Sequence, residues 1–322
     1  MFTQAATCFP DLIADNNGVF HMSVPNILTM RECISTQLNT IITARFNFVI
    51  ARRELTSCGE SISQTDPSLV CVCDTVLSNY FKSLCKDLTQ RYSNDTPAII
   101  DLDETHFVFA GRWGDEKYTL DSHFSACLTE CEELPLSDQL AYIAKIIDKL
   151  DFSNIYNILT GKVKALYDTG LAMLANNLIK DLNLSYNGFT GFYSPVVKPR
   201  FVVCTISAVD YWHNRDKITE CIRIGNGLRK VRAFSNVNIG DSIFELTEAL
   251  NSLTYDKQAL ESRTAFGKGS NLEIHCFKGK YELRFTHELF DAIYAFFTLY
   301  INPESLPVIE GYAANENLAE AV

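Results

Sequence analysis

The chain lacks any apolar run long enough to cross a bilayer: its most apolar stretch, "ELFDAIYAFFTLYI", is short and carries charged residues. The opening "MFTQAATCFPDLIADNNG" has neither the basic segment nor the apolar segment of a secretory leader, and none is expected here. The 11 cysteines include no CxxC pair, and their scatter from Cys8 to Cys276 is not the dense spacing of a small disulfide scaffold. Several, such as Cys73, Cys85 and Cys204, fall inside apolar patterns where a free thiol behaves as a small hydrophobe. Excess positive charge is missing too: 28 Lys and Arg face 39 Asp and Glu, a net charge of −11. A field of that sign opposes nucleic-acid backbones and anionic membranes, both of which bind proteins through phosphate neutralisation. These absences predict a soluble protein of a reducing, cytoplasmic compartment, with neither membrane nor nucleic acid among its partners.

What is present suffices for a large core, since 47% of residues are hydrophobic and 11% aromatic. Ile34, Leu38, Ile41, Ile42 and Val49 recur at helical spacing. After an Asp66-Pro67 start signal, Leu69, Cys73, Val76, Leu77, Tyr80, Phe81, Leu84 and Leu88 do so again, predicting two long helices. From Pro97, "AIIDLD", "HFVFAG" and "EKYTLD" read as short strands. Residues 122–184 return to helical periodicity, with Ser137 and Ser153 as N-cap signals. "RFVVCTISAV" reads as a central strand, and "CIRIGNGLRKVRAF" as a hairpin turning at Asn226-Gly227. Asp241 is expected to cap the next helix, "NLEIHCFKGKYELRFT" to form a second hairpin near Gly279, and Thr286 to cap an aromatic helix at 287–301. Segregated helices and hairpins predict an α+β fold. A helical region at 1–96 is expected to pack beside a mixed region of short antiparallel strands, hairpins and helices at 97–301, followed by a loose acidic tail at 302–322.

In "AIIDLDET", Asp101 and Asp103 alternate at the end of an apolar stretch, so on a strand both carboxylates would share one face. One could then attack phosphorus while the other moves the leaving-group proton, with Mg²⁺ offsetting the phosphate's charge. The stretch resembles the first motif of the haloacid dehalogenase-type phosphatases. The resemblance implies Asp101 as nucleophile, Asp103 as acid/base, Thr205 after "FVVC" as phosphoryl anchor, Lys230 as the charge-neutralising lysine and Asp241 of "NIGDS" as a ligand for a Mg²⁺ cofactor. Lys230 and Asp241 stand only 11 residues apart, closer than the helix and strand that separate those motifs in the family. The alternative is the acidic end of an ordinary strand, and no catalytic residue is favoured.

His123, Cys127 and Cys131, at helical spacing i, i+4 and i+8, fall on one side of a helix, but no further ligand pair accompanies them. A packed helix face is therefore expected, and no metal. "TAFGKGSN" lacks the order of a phosphate-cradling loop and reads as a flexible connector. Arg223, Arg229, Lys230 and Arg232 concentrate positive charge in an acidic chain, a surface suited to a phosphate group or to an acidic segment of a partner. Tyr186, Phe189, Phe192 and Tyr193, in the loop at 186–199, are residue types that anchor interfaces. The aromatic helix at 287–301 is either central to the core or shared with a partner.

The preferred expectation is a non-enzymatic protein–protein interaction or assembly factor, with no cofactor. It would meet an unidentified protein through the aromatic loop and the basic segment. A Mg²⁺-dependent phosphatase is the first alternative, and a binding module for a phosphorylated ligand the second. A lineage-specific viral or phage origin is a further expectation, with no motif behind it.

Overall fold

The computed structural model describes residues 24–60, 68–103, 106–107, 128, 131–184, 195–207, 214–253, 260–277 and 279–312. The described residues are 63% helical and include one five-stranded antiparallel sheet, an α+β fold. Two compact units, Met1–Tyr167 and Asp168–Val322, divide the chain.

The first unit is built from α1 (Ile27–Ser57), α2 (Leu69–Tyr92), α3 (Leu136–Ile147) and the beginning of α4 (Phe152–Asp181). Asn26 caps α1 through its side-chain oxygen, which accepts the Thr29 N–H at 2.9 Å. Met30, Cys33, Ile34, Leu38 and Ile42 are buried along α1, whereas Ile41 points away and is 43% exposed. On α2 the whole expected stripe from Leu69 to Leu88 is buried. It meets Ile143, Ile146 and Ile147 of α3 and Phe152, Ile155, Leu159, Val163 and Leu166 of α4 in one core. Asp66 and Pro67 lie outside the described residues. Ser68 stands at the N-cap of α2 without a side-chain bond, and Glu132 reaches in to take the Leu69 N–H at 2.8 Å. A carboxylate there complements the positive end of the helix, and Arg45 approaches the same oxygen at 3.4 Å.

Two expected caps are displaced. α3 starts at Leu136 after Pro135, so Ser137 lies inside it, and Ser153 lies inside α4, where Asp151 accepts the Asn154 N–H at 2.9 Å. A larger correction concerns "AIIDLD", which forms no strand and pairs with none. Its polar groups are met by helix side chains in place of a neighbouring strand: Ile100 N–H donates to Thr89 Oγ1 and Lys162 Nζ donates to the Asp101 carbonyl, both at 2.8 Å. "EKYTLD", and "HFVFAG" apart from His106 and Phe107, lie outside the described residues.

The second unit centres on the sheet, ordered β1-β2-β5-β4-β3 with every pair antiparallel. Its strands are β1 (Val196–Val197), β2 (Phe201–Ser207), β3 (Ala265–Phe266), β4 (Leu272–Phe277) and β5 (Lys280–Thr286). β2 pairs on both sides, as expected of an apolar strand, and β4 and β5 form the anticipated hairpin around Gly279, whose φ of 83° suits a residue without Cβ. Alternation sends Val202, Cys204, Ile206, Leu272, Ile274, Cys276, Tyr281, Leu283 and Phe285 into one core face. Covering that face are α5 (Asn214–Ser235), α6 (Ser242–Asn251), α7 (His287–Tyr300) and the end of α4. Thr286 caps α7 as expected, and Leu289, Phe290, Ile293, Phe296 and Phe297 are buried, so the aromatic helix is a core element.

The hairpin expected at "CIRIGNGLRKVRAF" is instead the middle of α5. Cys221, Ile224, Leu228 and Val231 recur at helical spacing and are all buried. The glycines that suggest a turn serve packing. A Cβ on Gly227 would lie 2.7 Å from Leu178 of α4, and one on Gly225 would lie 2.8 Å from Ile243 of α6. The segment from Asn302, expected to be loose, is held as far as Tyr312. Ile309 is buried, Tyr294 donates to the Pro307 carbonyl at 3.3 Å, and Tyr312 packs edge-on to Phe290 while hydrogen-bonding Asp291.

On the opposite sheet face, Glu282 lies between Lys280 and Arg284, each at 2.9 Å, with Thr205 and His275 as its cross-strand neighbours. Burial alone would raise the pKa of Glu282, but the two hydrogen-bonded cations bring it below the ordinary value. Glu273 is lowered chiefly by the Gly269 N–H and then by His275.

Two outcomes follow for stability. Gly227→Val would drive two further carbons into Leu178 and should cost about 2 kcal/mol or more in urea unfolding, with the helix content of the folded state kept. Both carboxylates bind protons less readily folded than unfolded. Their stabilisation is therefore present above the ordinary value of 4.5 and is lost as pH falls through the lowered folded values. Glu282→Gln should flatten that acid-side decline when unfolding is measured across a pH series.

Candidate functional site

Helix α5 is a basic island, with six basic and two acidic residues among its 22. The basic residues fall into distinct groups. Lys217 pairs with Glu220 at 2.8 Å on the same helix. Arg223 embraces Asp181 of α4 through Nε at 2.6 Å and Nη2 at 2.5 Å. The Asp181 side chain is only 2% exposed, so this two-pronged pair stabilises a carboxylate that burial would otherwise penalise. Lys230 is partly buried. Arg229 and Arg232 are exposed and have no ion-pair or hydrogen-bond partner among the described residues.

Those two arginines line a cleft of about 200 Å³ between α5 and α6. Its α5 wall presents Ile222, Asn226, Arg229 and Arg232, successive turns of one helical stripe; its other wall presents Ile239, Asp241, Ile243, Phe244 and Thr247. Gly225 forms the floor where Ile243 comes close. Ile222 and Phe244 remain 46% and 60% exposed. The cleft thus combines apolar side chains, uncommitted guanidinium groups and one carboxylate, Asp241, at the N-cap of α6, where it makes no cap bond.

The residues named from the phosphatase resemblance divide between the units. Asp101 and Asp103 belong to the first, where Asp103 meets His106 Nδ1 at 2.9 Å and Asp101 borders a surface depression of about 440 Å³ beside Lys82, Lys86 and Ile99. Thr205, Lys230 and Asp241 belong to the second, on β2, on α5 and at the start of α6. Tyr186, Phe189, Phe192 and Tyr193 lie outside the described residues, as do His123 and Cys127, while Cys131 is buried in the first core. Among the described residues no three His, Cys, Asp or Glu groups could hold a metal ion.

"FGKGS" is a tight turn with Gly267 at φ 63° and Gly269 at φ 80°. Its amides are already engaged: Gly267 N–H donates to Glu245 of α6 and Gly269 N–H to Glu273 of β4, both at 2.9 Å. The protein's own carboxylates thus occupy the place where a phosphate would bind such a loop. Burial also pushes the Cys85 and Cys276 thiols up to about 11 and those of Cys73 and Cys221 to about 12, so none is a thiolate nucleophile at neutral pH.

Sequence reasoning found the arginines but not Ile222, Asn226 or Phe244. The signal available was the spacing of Ile222, Asn226 and Arg229, which is helical and not alternating. The two kinds of arginine should separate on substitution. Arg223→Ala leaves a buried carboxylate alone and is expected to cost roughly 3 kcal/mol, whereas Arg229→Ala should change stability by less than about 0.5 kcal/mol in the same unfolding assay. Comparisons with protein families, with characterised proteins and with solved structures find no match to this chain.

Proposed function

We propose that the protein is a non-enzymatic interaction or assembly factor that seats a partner protein in the cleft between α5 and α6. One observation carries this reading: two large apolar side chains, Ile222 and Phe244, stand exposed beside two arginines with no partner among the described residues. Aromatic and arginine side chains around a small apolar floor are the composition that concentrates binding energy in protein interfaces. The volume points the same way. About 200 Å³ is below the roughly 300–1,000 Å³ of sites that engulf a small-molecule ligand, but it suits one or two side chains of a partner.

The reading predicts where contact occurs. A photoreactive phenylalanine analogue placed at position 244 should give a protein adduct on irradiation in the native host, and the same analogue at Val308, which is more exposed still, should not. Arg229→Glu together with Arg232→Glu should reduce the adduct at position 244 by about tenfold or more. Equal labelling from both positions would sink the proposal.

A further inference from the structure

Resting on that reading of the cleft, we infer that the partner offers an unmodified acidic segment with an apolar anchor. Its carboxylates meet Arg229 and Arg232, and a large aliphatic or aromatic side chain packs on Ile222 and Phe244. The cleft has polarity along its length. Arg229 and Arg232 follow Ile222 by seven and ten residues on α5, so at about 1.5 Å per residue the charged end lies roughly 10–15 Å from the apolar end. A matching segment carries its acids about three to four residues from the anchor if extended, or about seven to ten if helical.

Charge decides the sign of the partner. Lys217 and Arg223 of the same helix are committed to Glu220 and Asp181, while the planar guanidinium groups of Arg229 and Arg232 remain available to grip carboxylates in bidentate fashion. Asp241 in the same cleft leaves only a small positive excess, which suits one or two carboxylates and not the dense phosphates of a nucleic acid. The chain's net charge of −11 repels an acidic partner at long range, but screening over about 8 Å at physiological salt leaves the local pairs to decide.

The test is selection of a random dodecapeptide library on the full chain, with Phe244→Ser for counter-selection. The expected peptides carry at least two Asp or Glu residues at the stated distance from a large apolar residue. By fluorescence polarisation they should bind the Arg229→Glu/Arg232→Glu variant at least about tenfold more weakly, and the corresponding double lysine variant by an intermediate amount, with thermal unfolding unchanged in both. Neutral or basic peptides that still need Phe244 would overturn the acidic partner and leave the cleft reading standing. Peptides indifferent to Phe244 would overturn both. Sedimentation as a dimer that Phe244→Ser dissolves would assign the cleft to a second copy of this chain instead.

Discussion

In the second unit, α5 has neighbours on two sides that approach more closely than side chains ordinarily permit. Gly227 lies against Leu178 of α4 and Gly225 against Ile243 of α6, each at a separation that even a methyl group would violate. Because the helix is wedged at both points, its remaining turns are set: Cys221, Ile224, Leu228 and Val231 face the core, and Ile222, Arg229 and Arg232 face away. Glycine inside a helix costs about 1 kcal/mol relative to alanine, and here close packing of three helices offsets it. The cleft is a by-product of that packing. Where α5 and α6 are pressed together at Gly225, the longer side chains on either side of the contact must splay, leaving a floor with walls.

The same unit secures α6 from its other side. Glu245 reaches the Gly267 amide in the turn between β3 and β4, and Ser242 packs where any side chain on Gly267 would intrude. α6 is therefore tied to the hairpin as well as to α5, and Phe244 stands between two residues that make those contacts, Ile243 and Glu245. An exposed aromatic carried on a secured helix needs no backbone ordering on contact, which favours association.

What could be read from the sequence was whatever is decided within a few residues. Thr286 as a helix cap, Gly279 as a hairpin turn, and the stripe from Leu69 to Leu88 depend on neighbours nearby in the chain, and each stands where the pattern predicts. Asn226-Gly227 misled because the same dipeptide satisfies two needs, a tight turn or a helix surface without bulk. Only the arrival of Leu178 from 49 residues earlier chooses between them. "AIIDLD" misled for a related reason. Its apolar residues are those of a strand, but Thr89 and Lys162 supply its hydrogen bonds, and neither is adjacent in sequence. Of the cleft, the arginines were legible as charge; the apolar half was not, because Phe244 is brought to Ile222 only by the fold of α6 against α5.

The thiols have a practical consequence. Of the cysteines among the described residues, Cys58 and Cys71 are exposed and both belong to the first unit, whereas Cys204, Cys221 and Cys276 of the second are sealed in its core. Reagents that modify sulfhydryls thus meet a chain whose halves answer differently. One half offers handles for a dye or spin label in its native state, and the other becomes chemically visible only when it opens, so that the rate of its modification is a clock for unfolding.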